Sequence, residues 1–157
     1  MQVDEIDLAG EQFIAAHDHW RKICGADRCC PDPQALDPVE MPPQTLPYSE
    51  LVEVLTDPLD FRYRLIGTAI HDISGSSYTG LTVRQIPTQA PPSRMYDFFV
   101  LAYERKAPVC ARLPYDGPDE LVDNIRNLLL PFGDGVSKVS MFWSVVEIVR
   151  RKASDIN

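Results

Sequence analysis

Between Glu11 and Ile23 the apolar positions recur every three or four residues. Phe13, His17, Trp20 and Cys24 follow a 4,3,4 spacing with Ala16 beside them, which predicts an amphipathic helix. Gly25 offers its stop signal. The pattern then breaks: Cys30 to Pro47 holds six of the fourteen prolines. That density excludes a long helix or a central strand and predicts an ordered linker with one short turn begun near Asp37–Pro38. From Ser49 the period becomes two. Ser49 to Asp57 reads as a strand or an extended connector into one, "TDPLD" as a turn, and Phe61 to Gly67 as the clearest strand in the chain. Phe61, Tyr63 and Leu65 share one face of it, and Arg62 and Arg64 share the other. An antiparallel hairpin with a four- or five-residue turn follows.

Beyond Gly67 the chain reads as short helices between turns. Thr68 caps "AIHDISG", and Leu81 to Ile86 forms another short helix. Ser93 to Lys106 is a longer one, with Met95, Phe98, Phe99, Ala102 and Tyr103 on its apolar face and Ser93 at its start. Val109 to Tyr115 reads as a strand. Leu121 to Leu130 fits helix or strand on pattern alone, and its place between two strand-like runs favours strand. Asp134–Gly135 centres a turn. Val139 to Val149 is a last strand, apolar on both faces and therefore central. The order is helix, two strands, several short helices, three strands. It predicts an α+β fold with an antiparallel sheet, organised as an N-terminal helix and linker (1–48), a main domain (49–150) and a tail (151–157).

The chain's 157 residues suffice for one core. A net charge of −8 disfavours nucleic acid, whose phosphates call for a positive surface. The acidic start, "MQVDEID", lacks the features of an export signal, and no apolar run reaches about 18 residues. The expected compartment is the cytoplasm, with no membrane partner. There, the four cysteines are expected as thiols or ligands rather than as a disulfide framework.

Trp20, "LDP" at Leu36 to Pro38, "FRYRLIGTAI" at Phe61 to Ile70, "GSSYTG" at Gly75 to Gly80 and "LLLPFGDG" at Leu128 to Gly135 carry a resemblance that spans nearly the whole chain. The sequence resembles a PAS domain, in particular the short PAS-like proteins of proteobacteria whose function is not established. The resemblance implies a five-stranded antiparallel sheet in the order 2-1-5-4-3 with helices on one face, and often a cavity between them. It also implies a sensor or a protein-interaction module, and dimerisation through an N-terminal helix. The Cys29–Cys30 pair departs from the family pattern.

Candidate chemistry is sparse. "HDHWRKICGADRCC" concentrates two histidines and three cysteines. On a helix, however, His17 and His19 point about 160° apart, so they do not readily share a metal. A zinc set of His17, Cys24, Cys29 and Cys110, or a redox-active thiol near Arg28, stands as an alternative to simple packing. The helix from Ser93 carries no histidine for a haem, and the residues name no cofactor. There is no P-loop, no Gly-x-Ser-x-Gly and no nucleophile–base spacing, so no catalytic residue is assigned. Tyr63, Tyr78, Tyr96, Phe99 and Trp143 are the expected walls of a ligand pocket. Phe13, His17 and Trp20 are the expected contact surface for a second copy or a signalling partner. The sequence thus reads as a non-catalytic sensor or adaptor for a small ligand or a protein. A dimerisation module with a filled core, and a thiol- or zinc-dependent redox protein, are the alternatives.

Overall fold

A computed structural model describes residues 3–4, 10–25 and 30–155. Its strands are β1 (Val3–Asp4), β2 (Ser49–Leu55), β3 (Asp60–Ile66), β4 (Val109–Pro114), β5 (Val122–Gly133) and β6 (Val139–Arg150). Its α-helices are α1 (Glu11–Cys24), α2 (Thr68–Ser74) and α3 (Arg94–Arg105). All strand pairs are antiparallel, in the order β1-β4-β5-β6-β2-β3. Counted from β2, the five long strands run 2-1-5-4-3, the PAS-like topology. The additional strand, β1, extends the sheet beyond β4 by two residues. The turn expected near Asp37–Pro38 is present, with Glu40 N–H donating to Asp37 O at 3.0 Å, and two 3₁₀ helices, Pro33–Ala35 and Pro43–Tyr48, flank it. The cap of α2 is Gly67, and Thr68 is its first helical residue. Ser93 does cap α3: its Oγ accepts from the Tyr96 N–H at 3.0 Å.

Both faces of the sheet are covered. On one, α1 lays Phe13, Ala16, Trp20 and Cys24 on Leu128, Leu130, Phe132, Trp143 and Val145. On the other, α2, α3 and the 3₁₀ turn Val83–Gln85 close over Val52, Phe61, Tyr63, Leu129, Phe142 and Val146. The "GSSYTG" stretch runs along the outer edge of β3, where Gly80 N–H donates to Tyr63 O and Tyr63 N–H donates to Leu81 O. The otherwise open edge is thereby occupied.

Three register shifts, at Leu51/Val52, Val122/Asn124 and Phe132/Gly133, break the alternation expected from the sequence. One extra residue reverses the facing of everything beyond it. Opposite Leu51/Val52 the extra residue is Arg64, so Tyr63 is buried while Leu65 is half exposed. Opposite Phe132/Gly133 it is Ser140. Val139 therefore joins the helix-covered core, while Met141, Trp143 and Val145 face α1.

Gly67 marks where "YRLIGT" meets the linker. A Cβ there would lie 2.3 Å from Pro47 O, and its N–H donates to Ser49 O at 2.7 Å. Its φ of −65° is open to any residue, so the requirement is one of space alone. Gly67→Ala should push Pro43–Tyr48 off the start of α2 and cost about 1–3 kcal/mol, as overpacking does. The urea midpoint checks it.

Candidate functional site

The helix-covered face of the sheet is not uniformly filled. At one end Phe61 stacks on Phe99 at 4.9 Å between ring centroids, with Phe142 at 6.2 Å from Phe99. Two to four residues further along β6 the aromatic packing stops and a cavity of about 480 Å³ begins. This is within the range of roughly 300–1,000 Å³ common for small-molecule sites. The sheet supplies its floor with Glu50, Leu113, Ile125, Asn127 and Val146. The walls come from Ile70 and Ile73 of α2, from Tyr78, and from the stretch around Gln89 that leads into α3. Tyr115 forms part of the rim: its hydroxyl donates to Ile73 O and accepts from the Asp119 N–H.

A chain of polar residues runs through the floor. Glu50, Ser144 and Leu129 are neighbours across β2, β6 and β5. Asn127 Nδ2 donates to Ser144 Oγ at 2.8 Å, and Ser144 Oγ donates to Glu50 Oε1 at 2.8 Å. Asn127 thus occupies a lone pair of the serine and orients its proton toward the carboxyl. No cation lies within ion-pair distance of Glu50 among the described residues. Burial, opposed only in part by the Ser144 bond, pushes the Glu50 carboxyl up to about 7. Tyr63 donates to Gln89 Oε1 at 2.6 Å. Burial, with the charge of Glu50 and the neighbouring Tyr78 adding to it, raises the Tyr63 phenol well above its ordinary value. It therefore stays protonated at physiological pH.

Of the five aromatic residues expected to wall a pocket, the cavity takes Tyr63 and Tyr78. Phe99 is fully buried in the packed end. Tyr96 turns away toward the β2–β3 turn, donating to Leu59 O and accepting from Arg84 Nη2, both at 2.9 Å. Trp143 is on the opposite face of the sheet, under α1, with Nε1 donating to Ser49 Oγ at 3.0 Å. The physical reason is parity. Trp143 and Ser144 are adjacent on a strand buried on both faces, so only one of them meets the cavity side.

The expected contact surface is likewise turned inward. Phe13 is fully buried and Trp20 nearly so, with Trp20 Nε1 donating to Pro131 O at 2.9 Å. His17 stacks on Trp20 at 6.2 Å, and burial, then the Arg21 charge, holds its imidazole below the usual value. The large apolar residue that α1 leaves outward is Ile14. Cys24 and Cys110 belong to the core under α1, whereas Cys30 belongs to the core on the other face. Cys29 lies outside the described residues. Among the described residues no three His, Cys, Asp or Glu side chains group as metal ligands, and no helix is long and apolar enough to cross a membrane.

Glu50, Asn127, Ser144 and Gln89 are the site residues that pattern reading passed over. The signal was there for three of them: a polar residue at an inward position of an otherwise apolar strand, as in "SELVEV", "IRNLLL" and "FWSVV". No protein-family model, no curated protein and no solved structure matches the chain.

Proposed function

We propose that this chain is a non-catalytic, PAS-like sensor or adaptor that takes a small molecule into the cavity beneath α2 and passes its presence to a protein partner or a second copy. The observation that carries the reading is the Glu50 carboxyl, buried at the floor of a 480 Å³ cavity with no cation from the described residues beside it. A filled core has no use for such a group, since a hydrophobic residue there would be more stable. The roof supports a signalling role. It consists of the seven-residue α2, the irregular chain at Tyr78 and from Thr88 to Ser93, and the first turn of α3, and a short helix with irregular chain opens more readily than the strands below it.

Binding rather than catalysis is supported by what the lining presents. Ser144, the hydroxyl paired with Glu50, is fully buried beneath it, so the pair offers a substrate no nucleophile. The lining holds neither histidine nor cysteine.

Native mass spectrometry of freshly purified protein, set against its denatured mass, tests the proposal. We expect extra mass in the native spectrum that disappears on denaturation and is missing from Val146→Phe, which fills the floor. A doubled mass would report a second copy as the partner. Equal native and denatured masses, with no small molecule raising the melting temperature, would contradict it.

A further inference from the structure

Most side-chain donors around the cavity are spent within the protein, the Tyr78 hydroxyl and Gln89 Nε2 on the wall being exceptions, whereas the acceptors at the floor are not. The Tyr63 hydroxyl donates to Gln89, Ser74 Oγ to Ile70 O, Ser93 Oγ to Gln89 O and the Tyr115 hydroxyl to Ile73 O. Asn127 Nδ2 gives its hydrogens to Ser144 Oγ and to the carbonyl of Val145. These donors are therefore committed within the protein. The acceptors are not. Glu50 Oε2, Asn127 Oδ1 and the Tyr63 oxygen accept nothing from the described residues. Among the described residues no buried side-chain oxygen is closed off without a partner, so Glu50 Oε2 and Asn127 Oδ1, both on the cavity lining, are open to it.

The charges lean the same way. Glu50 is only 7% exposed. Asp116 and Arg94 also border the cavity, but both are exposed at its mouth, where water screens them. The Gln89 amide, half-buried on the wall, adds neutral hydrogen-bonding capacity. Among the described residues, the one charged group at the floor is thus an anion without a counter-ion.

We infer that the cavity selects small organic cations, such as amines, amidines or protonated nitrogen heterocycles, which enter nitrogen-first and donate to Glu50 Oε2 and Asn127 Oδ1. This rests on the cavity being a ligand site, and it adds the chemical class. A nitrogen cation supplies both missing things, the donors and the counter-charge, and a charge-assisted bond in a water-poor site is the stronger kind. A carboxylate would meet Glu50 as a like charge. A neutral alcohol or amide would bring donors without charge.

The test uses matched probes at about pH 8, where a group titrating near 7 is mostly ionised. Benzylamine, benzamidine, benzyl alcohol, benzamide and benzoate are titrated into ¹⁵N-labelled protein while the backbone amides around the cavity are followed. We expect the two cations to bind at least about tenfold more tightly than the others, a difference of about 1.4 kcal/mol. Glu50→Gln, of nearly the same shape, should remove that preference and leave the neutral probes within about twofold of their wild-type affinity, a difference below about 0.5 kcal/mol. Equal or tighter binding of neutral or anionic probes to the wild type overturns the inference and leaves the cavity as a ligand site. If no probe moves these amides at millimolar concentration, both the inference and the ligand site are overturned. The wild-type series decides the matter even if Glu50→Gln fails to fold.

Discussion

Trp143→Ala should lower the unfolding free energy by about 3–5 kcal/mol, the usual cost of deleting a buried aromatic side chain. The indole is fully buried between the sheet and α1, in the same cluster as Phe13, Trp20 and Leu130. His19 stands edge-on to it at 6.0 Å. Its removal also deprives Ser49 Oγ of a donor in a buried place. Trp143→Phe separates the two effects: it keeps most of the packing and gives up the hydrogen bond, and it should cost less than the alanine. Urea unfolding followed by circular dichroism measures both. The amides of α2 and around Gln89, which roof the cavity, should keep their chemical shifts in Trp143→Phe, because the sheet lies between them and the indole. A loss below about 1 kcal/mol for the alanine variant, the range of an unremarkable surface change, would mean that α1 does not cover this face.

Glu50→Gln should become more favourable relative to the wild type as pH rises, by about 3 kcal/mol between pH 4 and pH 8. In the fold the carboxyl titrates at about 7, against 4.5 for the free group. From about pH 4.5 upward the unfolded chain gives up this proton while the folded chain still holds it. The stabilisation is therefore complete below 4.5, declines through the interval, and is gone once the pH passes about 7. Glutamine keeps the shape and does not titrate, so the difference between the two proteins isolates this group from the other carboxylates. The unfolding free energies of both, measured across the range, give the curve. A flat difference would place Glu50 in water or beside a cation.

The sequence carried the topology well because its strongest signals are local. The 4,3,4 spacing from Phe13 produced α1, the alternation in "FRYR" produced β3, and the doubly apolar run from Val139 placed β6 at the sheet's centre. The three bulges were not legible. They arise where Arg64, Asp123 and Ser140 are surplus to the strands opposite them, and that depends on register between distant segments. Leu65 accordingly reads as core and is half exposed.

The site was harder to read for a related reason. Aromatic residues were the expected walls, but an aromatic ring packs equally well into a filled core. Phe99 and Trp143 do so, on opposite faces of the sheet. Glu50 shares its parity with Val52 and Val54, so its inward direction was readable from "SELVEVL". Its companions were not readable as companions. Ser144 and Asn127 reach it only through strand pairing, 94 and 17 positions apart along the two bonds of the chain.

The central claim is that Glu50 is a buried, uncompensated carboxyl open to a cavity. The most direct test is to titrate its side-chain ¹³Cδ resonance in the unliganded, isotopically labelled protein. The account predicts a midpoint near 7. A midpoint near the ordinary 4.5 would show a carboxyl already solvated or paired, and would contradict it.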